Sequence, residues 1–267
     1  SDDTLFPDTL ATLYQKAKVS GADLSVCGFT YLVEQTKECV DNLPEKAFCG
    51  GGKEYLEERF LSDFRREFFN PPWNKLIRRK LLEENGVRFV PGLRQGEDLY
   101  FCLMLLTVAP RLLILPDRLY HYRRERPGSA SCGRDPRLGD FRMDLMGMES
   151  LARFWGERGL LDSPAAFGLV DYCMELMRRH FIMKEGAFFK ASPEDREVLL
   201  SGWKKWLELV GAENVLPSLD RWDRAFCRLL LDCPLRSNFF SALHSRLMSS
   251  RKGRRGAYYT LKRHLMK

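Results

Sequence analysis

Apolar and polar positions alternate with changing period along this chain, and the period says what each segment forms. Leu10, Leu13, Tyr14 and Ala17 recur at the spacing of one helix face, after Pro7-Asp8 and before Gly21. This predicts an amphipathic helix with those four side chains turned inward. Residues 24–32, LSVCGFTYL, read as a strand buried on at least one face. The polar stretch 33–52, with one Pro and three consecutive Gly, reads as a hairpin or excursion. Residues 53–69 return to helical spacing through Tyr55, Leu56, Phe60, Phe64 and Phe68, until Asn70-Pro71-Pro72 breaks the pattern. A short helix over 78–85 is capped by Gly86, and 87–90 reads as a short strand. Residues 98–109 form a helix with Leu99, Cys102, Leu103 and Leu106 on one side, stopped by Pro110. Two strands, 112–115 and 119–123, flank a turn at Pro116-Asp117. Residues 124–137 form a loop rich in Arg, Gly, Ser and Pro.

Past residue 139 only helical periods remain. They cover 141–155, 163 to about 189, a run opened by Ser192-Pro193-Glu194-Asp195 and stopped at Gly211, and two shorter segments, 219–231 and 238–248. Met143, Met146, Met148, Met174, Met177 and Met183 read as helix core. The layout is thus an α/β part over 1–137, a helical bundle over 138–232 and a basic tail over 233–267.

Composition changes the picture at three points. Hydrophobic residues make up 45% and charged residues 30%, ordinary for a globular chain of 267 residues, and no apolar run approaches the roughly 20 residues of a membrane span. Eight Cys are scattered without a CxxC pair, which reads as reduced thiols in a cytoplasmic protein rather than a disulfide framework or zinc site. The net charge of +7 is uneven: 233–267 holds nine Lys and Arg and no acid, so the other 232 residues carry −2. Such an arm reads either as a solvated tail or as a contact for an anionic surface, lipid or nucleic acid; at the inner face of a membrane, Leu243, Leu247, Tyr258, Tyr259, Leu261 and Leu265 would supply apolar contact. No interleaved aromatic and basic platform precedes residue 250, so no nucleic acid is expected as a partner.

The chemistry gathers in residues 92–129. A Gly-rich loop delivers Glu97 and Asp98 to the start of an apolar helix. Carboxylates there either cap the helix or serve as a mounted general base. Asp2 and Asp3 are adjacent acids that read either as a charged terminus or as a metal-binding loop. Trp73, just after a Pro-Pro turn, reads as a core aromatic, and Lys75 as a solvated surface cation. Arg123 reads as a strand-end charge, and the Arg residues of the loop 124–137 as contacts for an anionic ligand. His121, His180, His244 and His264 have no metal-ligand spacing.

Taken in order, six motifs carry a resemblance. They are Ser1-Asp2-Asp3; residues 22–29; Trp73-Asn74-Lys75-Leu76-Ile77-Arg78; residues 86–92; Glu97-Asp98; and Tyr120-His121-Tyr122-Arg123 with Ser129 and Ser131. With them the chain resembles the bacterial family 2 glycosyltransferases of GT-A fold, which build surface polysaccharides and glycolipids. The resemblance covers residues 1 to about 132. It implies a partial GT-A-like mixed sheet with flanking helices, joined to an all-helical C-terminal region. It implies inverting transfer of a sugar from a nucleotide-diphosphate donor to a saccharide or lipid-linked acceptor hydroxyl. Asp98 would then be the base, with Glu97 orienting it or binding the acceptor. Asp2, with Asp3 second, would ligate Mg²⁺ or Mn²⁺, and Trp73, Lys75, Arg123 and Arg126 would bind substrate. The chain departs from the family at two points. His121 stands where Tyr is usual, and the sequence enters the D-S-D-D motif at its second residue, so the βα units that hold the base and ribose are expected to be missing. A rival reading is a non-catalytic module that binds sugar or a partner chain.

Overall fold

The computed structural model describes residues 3–33, 36–59, 68–94, 96–124, 139–161 and 192–211, with the single positions 170, 173, 216, 224, 227 and 228. The chain divides into two compact units, Ser1–Asp135 and Pro136–Lys267.

The first unit is mixed α/β. Its described elements are β1 (Thr4–Leu5), α1 (Thr9–Ser20), β2 (Leu24–Val33), β3 (Glu38–Asn42), β4 (Phe48–Gly50), α2 (Gly52–Glu58), β5 (Lys75–Ile77), α3 (Arg79–Asn85), α4 (Glu97–Val108) and β6 (Leu112–Arg124). The long strands β2 and β6 lie side by side and parallel, and make the spine of a six-stranded sheet. Each edge of that pair is finished by two short antiparallel strands. β4 and β1 pair with the start and the later part of β6, while β5 and β3 pair with the start and the end of β2.

One irregularity re-aims the sheet. Register runs evenly from Leu24↔Leu112 to Cys27↔Leu115, then jumps to Gly28↔Arg118 and Phe29↔Tyr120. The expected break at Pro116-Asp117 is therefore a bulge inside one strand and not a turn between two. A proline, which lacks the N–H a ladder needs, is accommodated at such a site. Gly28 lies opposite the bulge, where a Cβ would run into Leu43 and the backbone oxygens of Asn42 and Asp117. Before the bulge, Cys27 packs with Leu13 of α1 and with Leu113, Leu115 and Leu119. After it, Phe29 and Tyr120 turn to the other face, the one occupied by α4.

The helices differ from their expected faces for physical reasons. α1 forms and stops at Gly21, whose φ is +68°. It rests on the sheet along a narrow line through Thr9 and Leu13, however, and leaves Leu10 62% and Tyr14 58% exposed. α4 was expected to show one apolar side. All residues from Leu99 to Thr107 are buried, as they must be in a helix apolar on every side. α2 and α3 pack against it. Gly52 lets α2 approach so closely that a Cβ there would strike the Leu106 carbonyl oxygen. The strand expected at 87–90 is irregular chain. Among the described residues no strand pairs with it, and Phe89 stacks on Phe101 at 4.2 Å. The short strands β1 and β5 have too few residues to show a period, and the sequence pattern misses both.

The second unit is helical in its described part. α5 (Gly139–Gly156) and α6 (Pro193–Val210) pack together around Trp155, Trp203 and Trp206, all fully buried. Ser192 caps α6 by accepting from the Asp195 N–H at 3.1 Å, and Gly211 closes it in the left-handed conformation. Glu149 of α5 accepts from Lys205 at 2.7 Å and from Arg153 at 2.8 Å, which holds its carboxyl below the usual range. The helices expected at 163–189, 219–231 and 238–248, and the basic tail, lie outside the described residues apart from the single positions named above. No described helix is long and apolar enough to cross a membrane.

Candidate active site

The site grows from the start of α4. Gly96 precedes the helix with φ +74°, a conformation that favours glycine, and Glu97 and Asp98 fill the first turn. Three residues connect α4 to β6. Asp98 lies within electrostatic reach of Lys75, whose backbone pairs with Val26 of β2. It is half-buried. Burial first, then the neighbouring Glu97, push its carboxyl above the ordinary range, and Lys75 pulls it back. Burial and Glu97 together outweigh Lys75, so the net direction is upward. A raised value suits a group that must take a proton near neutral pH.

The Trp73-Asn74-Lys75 segment joins this point to the sheet. Asn74 is 1% exposed and fully used. Its Nδ2 donates to the Cys27 and Phe68 carbonyls, both at 2.7 Å, and its Oδ1 accepts from Lys75 Nζ at 2.9 Å. Lys75 Nζ also donates to the Phe69 carbonyl at 2.8 Å and to that of Pro71, and sits 4.5 Å from the centre of the Phe69 ring. Its ammonium points into the protein, toward Cys102 of α4. Burial lowers its pKa, opposed by Cys102, Cys27 and Asp98.

Beyond Asn74 the segment reaches a wall of rings. Phe29↔Tyr120 and Tyr31↔Tyr122 are in register on one face of β2 and β6. Trp73 stacks across both tyrosines of β6, 4.2 Å from Tyr120 and 5.2 Å from Tyr122, each at 21°. Phe29 meets its edge at 4.8 Å. Trp73 thus has the neighbours of a core aromatic, yet it and the three tyrosines are only half-buried. Tyr120 leads on to the acidic opening. Its hydroxyl donates to Asp3 Oδ2 at 2.9 Å, and the Arg123 N–H donates to Asp3 Oδ1 at 3.0 Å.

A chain of contacts thereby links the predicted residues: Glu97 and Lys75 act on Asp98, Trp73 of the same segment stacks on Tyr120, and Tyr120 and the Arg123 N–H hold Asp3. The Arg123 guanidinium is exposed, and it is the backbone N–H that holds Asp3. Asp2 and Arg126 lie outside the described residues. Sequence reasoning gave no role to Asn74, Tyr120 or Tyr122. The usable signal was the period-2 spacing of Tyr120 and Tyr122 opposite Phe29 and Tyr31. His121 faces away and stacks on Phe6 at 4.1 Å.

A divalent cation fits part of this donor set. Each Asp3 oxygen accepts one hydrogen bond and retains a lone pair, and Mg²⁺ is commonly held by one or two carboxylates together with substrate phosphates. Among the described residues no three His, Cys, Asp or Glu side chains group closely enough to hold a metal alone. Among the described residues Cys27, Cys39, Cys49, Cys102, Cys173 and Cys227 form no disulfide.

No known family and no curated protein matches the sequence. Solved structures do match the fold. Staphylococcus aureus TarS 1–349 in complex with UDP-GlcNAc aligns with a TM-score of 0.60 at 18% identity, over 86% of this chain and 61% of that one. The fold is GT-A-like. The same TarS fragment in complex with UDP aligns with a TM-score of 0.56 at 16% identity, over 86% of this chain and 60% of that one. The chain thus spans about three-fifths of the TarS 1–349 structures it matches, and 36% of a longer TarS structure.

Proposed function

We propose that this protein is an inverting glycosyltransferase that moves a sugar from a nucleotide-diphosphate donor to an acceptor hydroxyl in surface polysaccharide or glycolipid synthesis. The observation that carries the reading is the placement of Asp98. Burial and Glu97 raise the pKa of this half-buried carboxylate, and it feels Lys75, two residues from Trp73, whose ring stacks on the Tyr120 that holds Asp3. The GT-A-like fold and the UDP and UDP-GlcNAc held by the TarS structures support a nucleotide-sugar donor.

In this reading Asp98 takes the proton of the attacking hydroxyl as its oxygen bonds to the anomeric carbon. The bond from that carbon to the diphosphate breaks on the opposite side, and the configuration inverts. The chain supplies alignment: Trp73, held flat by Tyr120 and Tyr122, gives a sugar ring an apolar face. Tyr120 and the Arg123 N–H fix Asp3, which with Asp2 would hold Mg²⁺ or Mn²⁺. That cation supplies neutralising charge to the departing diphosphate when bound. Arg126 and the Arg123 side chain remain the proposed phosphate contacts. Calorimetric titration of the complete protein with UDP-GlcNAc and other nucleoside-diphosphate sugars tests the reading. Saturable binding that strengthens with Mn²⁺ is expected, and no binding to any donor overturns it.

The basic tail of 233–267 would hold the protein at an anionic inner membrane face, where lipid-linked acceptors lie. Co-sedimentation with anionic vesicles should fall on deletion of 249–267. Undiminished binding after that deletion removes the tail from the proposal.

A further inference from the structure

We propose that Lys75 is a positioning residue for Asp98: a fixed cation, held against the face of α4 that carries the carboxylate, which governs the proton acceptor and does not grip the donor's phosphates. The inference rests on the reading of Asp98 as the base. It starts from the lysine's own bonds. An ammonium has three protons, and those of Lys75 are directed to Phe69 O, Pro71 O and Asn74 Oδ1. All three acceptors belong to the short stretch 69–74, so they close around the ammonium from one side. A turn of the side chain toward a phosphate would strip donors from three partly or fully buried oxygens, each costly to leave unpaired.

The other side of the ammonium meets α4. Lys75 pairs with Val26 on β5 and β2, on the face away from α1, and reaches the Cys102 thiol. Asp98 is four residues before Cys102, hence one turn earlier on the same helix face, and helical side chains lean toward the N-terminus. The cation therefore lies beneath the carboxylate it serves. Among the described residues, the titratable groups that bear on Asp98 are Glu97 from its own helix and Lys75 from β5. Cys102 and Cys27 face Lys75, and burial raises both thiols, Cys27 to about 11, so they stay neutral near pH 7. Glu97 and Lys75 then act on Asp98 with opposite sign. Loss of Lys75 raises the pH at which Asp98 ionises, and loss of the Glu97 charge lowers it.

The test is a carboxyl ¹³C NMR titration of the complete protein, with the Asp98 resonance identified by its absence in Asp98→Asn. In Lys75→Met the Asp98 midpoint should rise. In Glu97→Gln it should fall. A merely structural lysine would not produce shifts of opposite sign. Donor titration of Lys75→Met should give wild-type affinity. If Lys75→Met does not fold, the reciprocal experiment reads the same coupling. The ¹⁵Nζ midpoint of Lys75 must then fall in Asp98→Asn, since linkage acts equally in both directions. An unmoved Asp98 midpoint in Lys75→Met, or an unmoved Lys75 midpoint in Asp98→Asn, overturns the proposal. Neither readout needs turnover. Shifted midpoints in a protein whose activity survives Asp98→Asn would keep the coupling and refute the catalytic reading.

Discussion

Asn74→Ala should unfold at a markedly lower temperature than wild type, by about 10 °C, although Asn74 touches no reacting group in the proposed mechanism. The side chain is 1% exposed and makes three hydrogen bonds. Its removal leaves the carbonyls of Cys27 and Phe68 without these donors and takes one acceptor from the Lys75 ammonium. An unmatched buried polar group costs about 1–3 kcal/mol, and more beside a charge. A total loss of about 3–5 kcal/mol is a large part of the ~5–15 kcal/mol that stabilises a typical domain. The consequence is also local, because Asn74 ties β5 to β2 and to the turn after Phe68, and thereby holds Trp73 and Lys75 in place. Thermal unfolding followed by circular dichroism measures the effect. An unchanged melting temperature would mean that the three bonds do not hold this segment.

That result bears on what the sequence could reveal. Trp73-Asn74-Lys75 was legible as a motif, and its first and third residues invite functional readings because a large ring and a cation are conspicuous. The residue between them has no distinctive property along the chain. Its importance comes from two carbonyls, one of them 47 residues away, that meet only when β2 and β5 pair. Lys75 illustrates the same limit. As a sequence symbol it is a charge available to a ligand, whereas in the fold its protons are directed to three oxygens of its own chain. Local signals carried much further elsewhere. Gly21, Gly86 and Gly211 end helices where a left-handed residue is needed, and Ser192-Pro193 starts one, because caps are set by a few adjacent residues.

Faces were harder to read than elements. The i, i+3, i+4 stripe of α1 suggested burial of Leu10 and Tyr14, but how wide a stripe is covered depends on the partner, and a sheet touches a short helix along a narrow line. Pro116 was a sound signal of interrupted pairing. Its outcome, a bulge that turns Phe29 and Tyr120 away from α1 and toward Trp73, depends on β2 running alongside with Gly28 at the matching position. The candidate site was therefore half visible. The carboxylates and Trp73 stood out, while the bulge that turns Phe29 and Tyr120 toward Trp73 did not.

Asp98→Asn should reduce turnover by about 10²–10⁴-fold, the usual contribution of a positioned general base. The carboxamide fills the same volume, so the start of α4 and the packing beneath it are retained, and donor affinity should remain near wild type. The dependence of kcat/KM on pH should support the same group. Because Asp98 titrates above the ordinary carboxylate range, activity should rise through a limb displaced upward from about pH 4, and that limb should disappear in the variant. The direction follows from the base needing to be ionised: activity is lost as pH falls through its pKa. The most direct measurement is the rate of nucleoside-diphosphate release from a saturating sugar donor, in the presence of acceptor and Mn²⁺, by the complete wild-type protein and by Asp98→Asn side by side. Steady release by the wild type, with a loss of at least about 10²-fold in a variant that still binds donor, is the expected result. Equal release by the two proteins would contradict the assignment of Asp98 as the group that takes the acceptor's proton.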